Sequence, residues 1–150
     1  MTDLRELYQQ VILDHNKSPH NYRAIEGADR VSVGHNPVCG DRLSLFVKLE
    51  GDRIADIGFQ GSGCAISKAS ASLMTGAVKG RSVAEAEQIF HAFHAMVTSD
   101  PTKTPDTAAL GKLAAFAGVR QFPARVKCAN LAWHTLHAAL IRSAEPVSTE

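Results

Sequence analysis

Apolar positions follow two different periods along the chain. Leu4, Leu7, Tyr8, Val11 and Ile12 recur at spacings of three and four, which predicts an amphipathic helix over residues 3 to 15 with Asp3 as its N-cap. Asn16 to Asn21, with Pro19, ends it. Val31 and Val33 mark a short strand, and Leu43, Leu45, Val47 and Leu49 then alternate strictly as far as Gly51-Asp52. Ile54 to Phe59 return on the far side, so the pattern predicts a β-hairpin. Period-two geometry carries the odd-numbered apolar face back through Asp41 to Cys39, and the returning strand delivers Gly61-Ser62-Gly63-Cys64 to that same open end.

Helical spacing resumes after the hairpin. The alanine-rich run from Cys64 to about Lys79, with Ile66, Leu73, Met74 and Val78, predicts a helix whose first turn holds Cys64. Ser82-Val83-Ala84-Glu85 has the capping-box pattern and opens a helix carrying Ile89, Phe90, Phe93 and Val97. Residues 98–122 hold Pro101, Pro105 and a short apolar-periodic piece, Leu110, Leu113 and Phe116, ending at Gly118, and read as an inserted helical excursion. Pro123 opens the last helix, with Val126, Ala129, Trp133, Leu136 and Leu140 in one stripe and Cys128 about a third of a turn off it. The stretch from about 144 to 150 reads as a flexible tail. With no internal repeat or low-complexity segment, a single domain over 1–150 is expected.

Composition narrows the field without naming a partner. At 45% hydrophobic and 21% charged residues, with a formal charge of +1, the chain has the make-up of a folded globular protein. This argues against a disordered chain and against a strongly nucleic-acid-binding one. No apolar run is long enough to cross a bilayer and no charged leader precedes one, so a cytoplasmic protein with reduced thiols is expected.

The chemistry sits on the cysteines. There are three, an odd number that cannot be fully paired in disulfides: Cys39 in a turn-forming Asn36-Pro37-Val38-Cys39-Gly40, Cys64 at a glycine-lined helix start, and Cys128 near the start of the last helix. A lone cysteine is ordinarily a small buried apolar side chain. Three placed at turns and helix starts, with Asp41 as a fourth donor, complete a tetrahedral zinc shell instead. Asp41 alone reads equally as a solvated turn carboxylate, and His35 is its best substitute as ligand. His91 with His94, and His134 with His137, stand three apart on helices and ordinarily mark helix surface. A site of three thiolates and a carboxylate stays net negative even with Zn²⁺ and calls for nearby cations. Arg125 and Lys127 flank Cys128, and Lys68 lies one turn after Cys64. The excess negative charge also leaves the thiolates nucleophilic, whereas no histidine is clearly placed as base for a cysteine hydrolase.

Asn36-Pro37-Val38-Cys39-Gly40-Asp41, Gly61-Ser62-Gly63-Cys64-Ala65-Ile66-Ser67 and Arg125-Val126-Lys127-Cys128-Ala129 together resemble the NifU/IscU-like iron–sulfur cluster assembly proteins, and specifically their SufU branch. The resemblance implies an α+β fold of SufE/NifU-like type, a small antiparallel sheet of about three strands with helices packed on one face. IscU-type scaffolds carry a histidine immediately before the last cysteine and a double-proline motif upstream; here Lys127 and the single Pro123 stand in that region, and the excursion at 98–122 is SufU-like. The resemblance therefore implies a tightly bound zinc. It also implies a zinc-dependent sulfurtransferase role, with sulfur taken from a SufS-type cysteine desulfurase, a pyridoxal-phosphate enzyme, and passed to downstream cluster assembly machinery. On that reading Cys39 is the catalytic acceptor, because its turn segment can move while Cys64 and Cys128 are built into helix starts. A desulfurase histidine then replaces it on the metal. The alternatives are a scaffold assembling a [2Fe–2S] cluster on the same four residues and a purely structural zinc interaction module.

Overall fold

The helices and strands follow the two periods closely. The computed structural model of the chain describes residues 4–37, 39–141 and 147–148. Its elements are α1 (Leu4–Lys17), β1 (Arg30–Asn36), β2 (Asp41–Glu50), β3 (Arg53–Ser62), α2 (Ala65–Val78), α3 (Val83–Val97), a 3-10 helix (Gly111–Gln121), α4 (Pro123–Leu140) and β4 (Val147–Ser148). Asp3, expected as the cap of α1, lies outside the described residues, as does most of the tail from 144. The two residues of β4 run parallel beside β1.

β1, β2 and β3 form the expected three-stranded antiparallel sheet, in the order β3-β2-β1-β4. In the hairpin, Gly51 takes φ 64°, which makes the tight turn possible. Leu45 then faces Phe59 and Val47 faces Ile57 across the ladder, all buried. α2 and α4 pack on the sheet, and α1, α3 and the 3-10 helix pack on those two helices, giving the α+β architecture. Trp133 stacks on Phe93 at 4.9 Å, and Phe116 meets Phe93 edge-on at 5.7 Å, which ties α4, α3 and the 3-10 helix into one core.

Three local readings of the sequence need correction. Val31 and Val33 do lie on a strand, but Val31 is 57% exposed and the buried face carries Ser32, Gly34 and Asn36. α4 presses so closely on β1 that a Cβ at Gly34 would strike Thr135 and Leu131. α4 is buried around most of its circumference, so Cys128, off the apolar stripe, is nonetheless 1% exposed. The piece expected to end at Gly118 runs on to Gln121 as a 3-10 helix. Leu110, Leu113, Phe116 and Val119 are all buried at a spacing of three, the period at which 3-10 side chains eclipse.

Candidate metal centre

The open end of the hairpin, the start of α2 and the start of α4 converge on one point. Gly40 takes φ 73°, reversing the chain so that Asp41, the first residue of β2, pairs with Asn36, the last of β1. Cys39 therefore stands in the turn, exposed, and not on the strand face that its spacing implied. Asp41 is 1% exposed. β3 ends at Ser62, and Gly63 leaves room for the Asp41 carboxylate, since a Cβ there would lie 2.5 Å from Oδ1. The Cys64 backbone N–H donates to Asp41 Oδ1 at 2.8 Å. Cys64 is also the N-cap of α2, its Sγ accepting from the Ser67 N–H at 3.4 Å. This is where helix N–H groups and the helix dipole favour a thiolate.

Cys128 enters from α4, with Sγ 3.2 Å from Cys39 Sγ. One ligand atom each from Cys39, Asp41 and Cys128 lie within 4.8 Å of one another, and Cys64 Sγ stands 4.0 Å from Asp41 Oδ2. Asn36, fully buried, donates through Nδ2 to Asp41 Oδ2 at 3.2 Å and to Cys128 Sγ at 3.4 Å. The sequence pattern did not single out Asn36, because asparagine before proline reads as turn chemistry. The signal available was its period-two placement with Ser32 and Gly34 on one strand face.

The donor set fits a cation. Asp41 is a buried carboxylate with no ion-pair partner among the described residues, a costly arrangement unless a positive charge joins it. Burial pushes the Cys128 thiol pKa up, and Cys39, Asp41 and Cys64 push it further. A cation among these groups reverses that penalty, and three sulfurs with one carboxylate oxygen are a zinc-type set.

The predicted cations are distributed unequally. Arg125 sits on the rim of the cleft that exposes the cysteines, its guanidinium 5.3 Å from the Phe122 ring. Lys68 instead lies over the Tyr22 ring at 5.3 Å, and Lys127 makes no ion pair among the described residues. His35 is exposed on the strand face opposite Asn36. The histidine pairs meet each other across α3 and α4, with His94 and His134 rings 5.6 Å apart, and none of the four lines the cysteine cleft. That cleft, of about 1080 Å³, is walled by Tyr8 and Ile12 of α1, Ile66 of α2, Val119 of the 3-10 helix, and Phe122.

Residues 7–129 match the NifU-like N terminal domain. The chain belongs to the NifU-like family. It is 44% identical over 144 residues to an iron–sulfur cluster assembly scaffold protein IscU of Streptococcus pyogenes serotype M1, covering 96% of this chain and 89% of that protein. It is 41% identical over 140 residues to the zinc-dependent sulfurtransferase SufU of Bacillus subtilis (strain 168), covering 93% of each. The crystal structure of SufU from Fervidobacterium islandicum AW-1 superposes with a TM-score of 0.82 at 36% identity, over 92% of this chain and 99% of that one. The IscU/SufU kinship and the α+β fold agree with the three motifs from which both were expected. No helix among the described residues is long and apolar enough to cross a membrane.

Proposed function

We propose that this chain is an iron–sulfur cluster assembly protein that holds zinc through Cys39, Asp41, Cys64 and Cys128 and accepts persulfide sulfur from a SufS-type cysteine desulfurase, passing it to downstream cluster assembly in the cytoplasm. The observation that carries the reading is the convergence of three cysteines and a buried carboxylate beside an open apolar cleft. Similarity to a protein named as a zinc-dependent sulfurtransferase supports the choice of zinc and of sulfur transfer.

Zinc, when bound, supplies the positive charge that keeps the cysteines as thiolates in a buried site. The chain's own residues then divide the work. Cys128 is buried and held by the Asn36 amide, and Cys64 is fixed at the N-cap of α2. Cys39 is the exposed member, in a turn between strands. Its thiolate attacks the terminal sulfur of the persulfide on the desulfurase cysteine. A Cys39 Sγ–S bond forms, the persulfide S–S bond breaks, and the desulfurase cysteine leaves as a thiolate with the electron pair. No oxidant or reductant is consumed. The exchanging sulfurs stand beside the apolar walls of the cleft, and Arg125 at the rim favours an anionic approach.

The test is peptide mass spectrometry after incubation with the desulfurase and cysteine. Persulfide is expected on Cys39, with transfer abolished in Cys39→Ser. Persulfide confined to Cys64 or Cys128, or undiminished transfer in that variant, defeats the assignment. A second reading, a scaffold building a [2Fe–2S] cluster on the same residues, draws support from the 44% identical relative named as a scaffold. Metal content separates the two: near-stoichiometric zinc in protein purified in air that resists cluster loading favours sulfur transfer.

A further inference from the structure

α1 and the 3-10 helix wall a second cavity, further along their contact from the cysteine cleft. It measures about 410 Å³, and four basic side chains from four segments line it: His15 of α1, His20 of the following loop, Arg81 between α2 and α3, and Lys112 of the 3-10 helix. No carboxylate lines it. On a chain with a formal charge of only +1, two standing cations, Arg81 and Lys112, beside two imidazoles are a local excess of positive charge and of donors.

The two histidines are held in place. Their rings lie 4.5 Å apart. The fully buried Ser72 hydroxyl accepts the His20 backbone N–H at 2.7 Å and stands 2.6 Å from His15 Nδ1. Where the hydroxyl proton goes to Nδ1 of neutral His15, the ring's N–H is at Nε2 and is left as a donor. Burial lowers the His15 pKa below its ordinary value, and the His20 and Lys112 charges lower it further, against Asp14. Lys112 makes no ion pair among the described residues, while Arg81 shares Glu85 at 3.4 Å on its exposed side. Leu73, Ile89 and Leu110 give the cavity an apolar floor.

We propose that this cavity binds the phosphate group of a small organic phosphate, with Lys112 and Arg81 matching its charge, His15 and His20 donating hydrogen bonds, and the apolar floor holding the organic part. Phosphate accepts several hydrogen bonds at once, which suits two cations and two imidazole donors around one cavity. The cavity volume lies in the range of small-molecule sites. Because the ligand would bridge His15 on α1 and Lys112 on the 3-10 helix, it would clamp two walls of the cysteine cleft together.

The experiment titrates phenyl phosphate into the full chain and follows the histidine ring protons by NMR. His15 and His20 resonances are expected to move saturably while those of His134 and His137 stay. Lys112→Gln, at an exposed position where folding is not at stake, should weaken binding about tenfold, the cost of one charge-assisted hydrogen bond. Lys103→Gln, exposed and away from the cavity, should change nothing. Inorganic phosphate should move the same resonances with lower affinity, and phenol should move none. No saturable movement of His15 and His20, or equal weakening by the two lysine variants, overturns the site. Equal affinity for inorganic phosphate overturns the organic part of the ligand.

Discussion

Asp41 and Asn36 are the single residues on which the proposed metal centre turns. The carboxylate is buried, takes the Cys64 N–H on one oxygen and the Asn36 amide on the other, and has no ion-pair partner among the described residues. Asp41→Ala should therefore weaken zinc binding, whereas His35→Ala, on the exposed strand face, should leave it unchanged. Elemental analysis after gel filtration decides between them, and a reversal would return the fourth donor to His35. Cys64→Ala and Cys128→Ala should each lose most of the metal; full occupancy in either removes that cysteine from the set. Asn36 touches Asp41 and Cys128 but is not itself among the four donors, so its replacement is a more delicate test. Asn36→Ala removes two hydrogen bonds to ligand atoms and should lower zinc affinity by roughly 10–100-fold, the usual effect of losing an outer-shell partner. Competition with a calibrated chelator measures it, and unchanged affinity would leave Asn36 a packing residue only.

At the scale of elements, the two ends of α3 and β1 respond to different forces. The Ser82 and Glu85 side chains cap each other's backbone in a reciprocal box at the start of α3. Ser82→Ala should cost about 1 kcal/mol in chemical denaturation without altering metal content. Gly34→Ala should cost more, about 1–3 kcal/mol, because the added Cβ drives α4 away from β1 and overpacks the contact. A loss for Gly34→Ala no larger than that for Ser82→Ala would mean that α4 can move aside. These two positions also mark what the sequence made readable. α2, α3 and the hairpin were legible from their apolar periods, with capping chemistry agreeing at the start of α3. β1 was legible as a strand but not in its facing, because close approach of α4 selects Gly34, Ser32 and Asn36 for the buried side in place of the valines. The continuation of the 3-10 helix was hidden by Gly118, which reads as a stop but here leaves the three-residue spacing unbroken through Val119. The four candidate donors stood out in the sequence by their chemistry, and Asn36 only by its period-two placement on one face of β1, whereas both cavities depend on contacts between distant segments that no local pattern encodes.

For the molecule as a whole, metal and protons act on the same stability. Zinc held by the four proposed ligands would join the starts of β2, α2 and α4, so chelator-stripped protein should melt earlier, while the hydrophobic core keeps it folded. Acid acts elsewhere, between α3 and α4. His134 lies against Phe90 at 5.4 Å and His94 at 5.6 Å, near His137, which meets the Glu87 carboxylate at 2.9 Å. Burial holds the His134 pKa below the ordinary 6.5, and His94 and His137 lower it further. His15 is shifted in the same direction by its own burial and by His20 and Lys112. A histidine with a lowered pKa binds fewer protons folded than unfolded, so stability rises with pH through that window. The stabilisation is fully present above about pH 6.5 and is lost as the pH falls toward the lower folded values. Melting temperature should therefore drop from neutral pH to about pH 5.5, and the slope should be shallower in His134→Gln, which removes one of the two shifted groups. The slope is the readout, since lost contact with Phe90 lowers the absolute melting temperature at every pH and the metal site titrates alike in both proteins. Equal slopes would place the acid sensitivity outside the α3–α4 histidines.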